Sequence, residues 1–384
     1  MPRIHAGLRT RILLVALAMV SVIALYKTRV AQKMSDFDVY RTAAARAIAA
    51  QPLYRPEDGH YQFKYLPAFA ILAAPAAIVP DRIAKAGWFA ISALLMIVLL
   101  ALSVGALPAV HRPPPVLAVL TFVAMAKFYA HELALGQVNL LFAVLVALAL
   151  VHMRRGRDAL AGGLLALGVL VKPYAIVFLP WAATRRSRLA FATMTAGVLV
   201  LLALPALRYG VPGDVSLHAD WWRTVTATTA PNVTNADNVS LAALFTRWTG
   251  SETTAGPLAA FLSAVLLLIC AVVILARRTV PAAGAPDTLE ASLLLLLIPI
   301  LSPQGWDYVL LIATPAIMLL INDPAFVPRG LRIAAGIALV VVAFSIFDLM
   351  GRDLYGTFMR LSIITVCVLI EFAALVSLRF RRAA

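Results

Sequence analysis

Charged side chains are scarce in this chain. Only 13% of its 384 residues are Asp, Glu, Lys or Arg, about half the share with which a soluble domain coats its water-facing surface. Cysteine is almost missing as well. Cys270 and Cys367 both sit inside apolar runs, which excludes a disulfide framework and predicts two buried, reduced thiols. No segment repeats at a fixed period, and the second half does not echo the first. That removes the paired halves on which many transporters are built. What is abundant is apolar: 62% of the residues are hydrophobic and the mean hydropathy is +0.91. Lipid is the solvent for which such a composition makes sense.

The net charge of +15 would suggest nucleic acid in a soluble protein. Here the basic residues form short clusters between apolar runs: Arg3, Arg9 and Arg11; Arg185, Arg186 and Arg188; Arg277 and Arg278; Arg379, Arg381 and Arg382. Cationic clusters of this kind orient membrane proteins, and without a soluble basic face no nucleic-acid partner is expected. The expected fold is all-α and polytopic, a single transmembrane domain over 1–384 with about twelve membrane segments: 12–30, 66–80, 85–107, 114–129, 138–153, 159–183, 189–208, 257–276, 288–301, 306–321, 330–347 and 361–378. The first follows three arginines and lacks a small-residue cleavage site, so it reads as an uncleaved span. Both termini read as cytoplasmic, in what we expect to be a bacterial inner membrane. Twelve simple crossings satisfy this but put Arg154, Arg155 and Arg157 outside. The alternative makes 66–80 re-entrant and bends 159–183 at Lys172-Pro173. Either way, 31–65 and 209–256 lie on the external face.

Those two external regions carry the polar chemistry. In 36–50, Phe37, Tyr40, Ala44, Ala47 and Ile48 share one helical face, with Asp38, Arg41, Thr42 and Arg46 on the other. This predicts an interfacial helix capped by Ser35 or Asp36. Asp36 is therefore either that cap or a general base toward a hydroxyl. Glu57, Asp58 and His60 share one loop, a weak metal pattern and more simply a solvated loop. Lys64 starts a span, where it snorkels or holds a lipid phosphate. Lys172 lies within an apolar run and needs an anion, from the protein or from a ligand. His131, Glu132, Gln137 and Asn139 are either glue between helices or sugar contacts. Trp306 and Asp307 mark an external junction, and His218, Asp220 and Arg223 lie in the long 209–256 loop.

In order along the chain, Asp36-Phe-Asp-Val-Tyr40, Gln51-Pro-Leu-Tyr54, Phe63-Lys-Tyr-Leu-Pro67, Gly136-Gln-Val-Asn139, Lys172-Pro-Tyr174, Asn238-Val-Ser240 and Ser302-Pro303 with Trp306 resemble glycosyltransferase family 87, membrane enzymes of the GT-C type. The resemblance implies an inverting transferase that uses a polyprenyl-phosphate sugar, mannose-like or arabinofuranose-like, and glycosylates a lipid-linked or glycan acceptor on the external face. It places the base on Asp36, with Asp38 as the local competitor. Cations for the departing phosphate are then expected among Lys64, Lys172, Arg41 and Arg223. Substrate contacts are expected from Tyr40, Tyr65, Gln137, Asn139, Asn238, Trp306 and Asp307. No metal or other cofactor is expected. Where some members carry histidine after the tryptophan, this chain has Asp307, so any assistance from that histidine must come from elsewhere. The competing reading is a secondary transporter or flippase of an amphipathic substrate.

Overall fold

The computed structural model describes residues 23–184, 187–276 and 286–380. Most of the expected first span lies outside these, as do the clusters Arg3 to Arg11, Arg185 and Arg186, Arg277 and Arg278, and Arg381 and Arg382. The described residues are helical throughout, without strands. Four helices are long and apolar enough to cross a membrane, and six spans result if each of two sharply bent helix pairs counts as one. Among the described residues, length and composition thus give four to six candidate spans, and the expected count of about twelve is not confirmed. Many apolar runs fold into shorter helices, broken at proline or glycine, that pack inside the bundle.

In chain order the helices are α1 (Ser35–Ile48), α2 (Pro67–Leu72), α3 (Ala74–Ile78), α4 (Asp81–Gly105), α5 (Pro114–Leu135), α6 (Asn139–Arg154), α7 (Asp158–Val171), α8 (Phe178–Thr184), α9 (Arg188–Ala203), α10 (Ala206–Val233), α11 (Leu241–Thr249), α12 (Glu252–Leu275), α13 (Pro286–Leu301), α14 (Thr314–Asn322), α15 (Arg329–Ala343), α16 (Phe347–Arg360) and α17 (Ile363–Phe380). Of these, α4, α5, α12 and α17 are the long apolar ones. Leu267, Leu268, Val272 and Leu275 of α12 are exposed, as befits a helix whose outer side faces lipid. At the centre, α13 is buried at every position from Thr288 to Ile300, the signature of a helix enclosed on all sides. Small residues allow the tightest packing. A side chain at Gly162 of α7 would collide with the Ala190 carbonyl and Thr193 of α9, and one at Gly197 would meet Ala166 at 2.7 Å.

Residues 66–80 do not form one span. With six and five residues, α2 and α3 extend about 16 Å in all, half of a ~30 Å hydrocarbon core. The 159–183 run also breaks, because Lys172 leaves the helix in an extended conformation and Pro173 opens a short 3-10 turn. Proline removes a backbone donor and restricts the residue before it. The 209–256 region was expected to be a loop and is mostly helix. Leu217, Trp221, Val225 and Thr229 recur at four-residue spacing and give α10 a packing face, while Gly210, with φ of 70°, supplies the break near its start. The bends are steep: 89° between α9 and α10, and 110° between α15 and α16. If α9 and α15 cross the membrane, α10 and α16 lie along its surface.

Helix α1 forms where its apolar periodicity predicted. Phe37, Tyr40, Ala43, Ala44 and Ala47 are buried, while Ile48, expected on that face, is exposed at the end. The capping expectation fails: the residue at the cap is Met34, and no side chain bonds the free amides. Asp36 is thereby left to serve another partner.

Two distant motifs lock together across the bundle. The Val239 amide donates to the Gly305 carbonyl at 2.7 Å and the Asp307 amide to the Asp237 carbonyl at 3.0 Å. The Asn238 side chain bonds the carbonyls of Asn232 and Pro303. Gly305 is needed here because any β-carbon would strike the Pro299 carbonyl oxygen. Gly305→Ala is expected to cost about 1–3 kcal/mol through overpacking, lowering the unfolding midpoint in detergent. Gly330→Ala, where the new atom meets nothing, should leave the midpoint unchanged or higher.

Candidate active site

Beneath α1 lies a polar cavity of about 570 Å3. α1 contributes Ser35, Asp36 and Tyr40, and the segment before α2 contributes Lys64 and Tyr65. His131 comes from α5, Gln137 from the α5–α6 turn, and Lys172 from the break after α7. The remaining wall is Trp221, Val225 and Thr229 of α10, with Asp237, Gln304, Trp306 and Tyr308. Six separate stretches of chain therefore converge. Gly136, with φ of 69°, ends α5 and turns Gln137 inward. A β-carbon there would lie 2.8 Å from Phe37, so α1 rests directly on this turn.

The side chains are joined in one network. Gln137 Nε2 donates to Asp36 Oδ2 at 2.5 Å, and its Oε1 accepts from the Tyr40 and Tyr65 hydroxyls at 3.0 Å each. The two tyrosine hydroxyls are 2.7 Å apart. Lys172 Nζ donates to the Tyr65 hydroxyl at 3.0 Å and lies 4.7 Å from the centre of that ring. A chain of hydrogen bonds thus runs from the ammonium to the carboxylate.

Burial pushes the Asp36 carboxyl above its ordinary range, while the Gln137 hydrogen bond and the Lys172 charge partly oppose that rise. Burial also lowers Lys64, with Asp36 opposing. At Asp237, burial followed by the neighbouring Asp307 raises the carboxyl.

His60 and His131 line this cavity, and of the thirteen site residues that the resemblance implied seven do: Asp36, Tyr40, Lys64, Tyr65, Gln137, Lys172 and Trp306. The others do not. Asp38 is bound by Lys85 at 2.9 Å. Asp36 and Asp38 have a spacing that can clamp a metal on an extended chain, but on a helix they point about 200° apart. Arg41 is tied to Asp81 and to the Val79 carbonyl, and Arg223 sits on the surface against Asp220. Asn139 bonds buried Glu132 at 2.8 Å and receives the Tyr174 hydroxyl at 3.4 Å. Asn238 is spent on the motif clip. Asp307, 1% exposed, lies behind the wall between His131 at 3.1 Å and Lys127 at 3.2 Å. A histidine from α5 thus stands against the residue that follows Trp306. In the 57–60 loop, Asp58 is engaged by Arg46.

Asp237 and Tyr308 were not singled out by sequence reasoning. Asp237 precedes the motif residue Asn238 and Tyr308 follows Asp307, and that adjacency was the available signal.

Behind Tyr40 the character of the surface changes. A second cleft of about 350 Å3 is lined by Tyr40, Phe69, Leu72, Trp88, Leu145 and Val171 among other apolar side chains. It shares Tyr40 with the polar cavity, and Val171 stands next to Lys172.

An all-helical bundle with an apolar exterior and several helices long and apolar enough to cross a bilayer defines a membrane protein. The chain matches the profile of glycosyltransferase family 87 over residues 63–303, well over half its length, and it belongs to that family; it is a glycosyltransferase. No curated protein and no solved structure matches it. The matched range includes Lys64, Tyr65, Gln137, Asn139, Lys172 and Asn238, and stops short of Asp36 and Trp306.

Asp36 also carries a stability consequence. A carboxyl whose folded value is raised stabilises the fold fully below its unfolded value, and that contribution is lost as pH rises through the folded value. Asp36→Asn is therefore expected to unfold at a higher temperature than wild type at pH 7.5. The gap should close near pH 4, as read by thermal unfolding in detergent.

Proposed function

We propose that this glycosyltransferase moves a sugar, mannose-like or arabinofuranose-like, from a polyprenyl-phosphate donor to a lipid-linked or glycan acceptor, with inversion, on the external face of the membrane. The observation that carries the reading is the meeting of the two unlike cavities at Tyr40, which lines both, with Val171 of the apolar cleft next in sequence to Lys172 of the polar one. A polyprenyl-phosphate sugar has the same sequence of parts. Its isoprenoid suits the apolar cleft, its phosphate suits the lysine at the junction, and its sugar suits the polar chamber. A transporter gains no support from the family membership, and no feature of the site favours it.

In this reading the acceptor oxygen attacks the anomeric carbon opposite the phosphate. As that bond forms, Asp36 takes the hydroxyl proton, and the bond from the anomeric carbon to the phosphate oxygen breaks. The electron pair leaves with the polyprenyl phosphate, whose added charge is met by Lys172 and Lys64. A single displacement inverts the centre and needs one base, unlike retaining glycoside hydrolysis. Gln137 holds the carboxylate toward the chamber. Trp306, stacked on Tyr308 with an interplanar angle of 4°, offers a flat apolar face to a sugar ring. Arg41 and Arg223, already paired elsewhere, take no part. The basic clusters at both ends support cytoplasmic termini.

Purified protein given radiolabelled polyprenyl-phosphate mannose or arabinose with membrane lipid extract is expected to form a labelled product. Asp36→Asn should reduce turnover by about 10²–10⁴-fold without loss of expression. Lys172→Met should raise the KM for donor. Normal turnover in Asp36→Asn would remove the base assignment. The acid limb of the pH–rate profile should lie above the ordinary carboxylate range, since the base must be ionised and burial raises its pKa. Gln137→Leu, which removes a bond that lowers that pKa, should move the limb further toward high pH. An impermeant maleimide should label Gln32→Cys from outside intact cells; labelling only after lysis would reverse the orientation.

A further inference from the structure

A third hollow, polar and about 470 Å3, lies on the other side of α1. Ser35, Val39 and Tyr61 line both it and the active-site cavity, so the two hollows adjoin along these side chains. On α1 its lining is Ser35, Asp38, Val39, Thr42 and Arg46, a single stripe at helical spacing. From Ser35 to Arg46 the stripe runs about 16 Å, the length of a short oligosaccharide. It begins beside Asp36, the proposed base.

The chemistry of the lining points to one ligand class. Arg46 holds Asp58 through two hydrogen bonds of 2.5 and 2.8 Å, and Lys85 holds Asp38. Fixed carboxylates and a fixed guanidinium thus stand along the wall. The side chains of Gln32, Lys33 and Thr42 also line it, and none has a hydrogen-bond partner among the described residues. The charges on the lining, Lys33 and Arg46 against Asp38 and Asp58, cancel. A hollow without net charge, rich in oriented donors and acceptors and edged by the aromatic rings of Tyr61 and Phe63, matches a neutral polyol better than a phosphate, a nucleotide or an acid.

We infer that this hollow holds the non-reacting residues of an uncharged oligosaccharide acceptor, whose terminal sugar passes Ser35 to present its hydroxyl to Asp36. The inference rests on the transfer reading above and adds an acceptor requirement: several linked sugars bind better than one. The donor then occupies the chamber on the Lys172 side, and the acceptor reaches Asp36 from the hollow on the other side of α1.

The test is a calorimetric titration of the full chain in detergent with mannose, mannobiose and mannotriose, and with the matching arabinofuranosyl series. In wild type, affinity is expected to rise at least tenfold from the monosaccharide to the trisaccharide in one series. Thr42→Trp fills the hollow from an exposed position, and Gln32→Trp fills it from the Ser35 end; both should abolish the gain. In the transfer assay the trisaccharide-to-monosaccharide ratio of kcat/KM should fall in parallel. Equal affinity for all lengths in both series overturns the inference, as does a gain that survives both substitutions. Failure of the transfer reading looks different: length-dependent binding persists while wild type forms no labelled product from any donor.

Discussion

The hydrogen bond from Gln137 to Asp36 is the interaction on which the arrangement of the cavity depends. A carboxylate and an ammonium withdrawn from water attract strongly and would normally close on each other. Here Asp36 and Lys172 remain apart, joined through Gln137 and Tyr65. The relay satisfies both groups without letting either neutralise the other, and it leaves open the space between them. A direct ion pair would have filled that space. Two tyrosine hydroxyls within 2.7 Å of each other stiffen the relay from behind, so the polar groups are positioned before any substrate arrives.

Holding the relay in place requires the rest of the bundle. The Gly136 turn brings Gln137 under α1, and the tight contact with Phe37 leaves no room for slack. Trp221 donates to the Lys64 carbonyl at 3.1 Å, tying α10 to the segment that carries Lys64 and Tyr65. The clip between Asn238 and the Ser302–Trp306 segment closes the opposite wall. Each of these contacts joins residues far apart in sequence and uses backbone groups that could not remain unpaired in an apolar medium. Two of the helix breaks, at Lys172-Pro173 and at Ser302–Trp306, line the polar chamber.

The family sheds light on part of this arrangement. Membership in glycosyltransferase family 87 rests on residues 63–303, the portion that supplies Lys64, Lys172, Gln137 and the Asn238 side of the motif clip, while Gly305 and Asp307 lie beyond it. The proposed base and the hollow beside it are carried by α1, before that range. In the proposed reaction, donor handling falls to the matched portion and the acceptor approach to α1, a division that follows from which side of α1 each cavity occupies.

Much was legible in the residues themselves. Scarce charge and long apolar runs determined that lipid is the solvent and that the chain is helical, because only internally bonded backbone survives there. The spacing of Phe37, Tyr40, Ala44 and Ala47 determined an amphipathic α1, and ordered motifs pointed to the family. Other features were not legible. Apolar length alone could not separate a membrane span from a short buried helix such as α13, and a Thr- and Asn-rich stretch concealed the four-residue stripe of α10. Asp36 and Asp38, or Lys172 and Arg41, differ little as sequence. Tertiary structure decided between them, because helical periodicity fixes only how residues on one helix are placed relative to each other. Which face is covered by Gln137, which by Lys85, and which cation finds a protein carboxylate before a ligand can reach it depend on neighbours brought from distant parts of the chain.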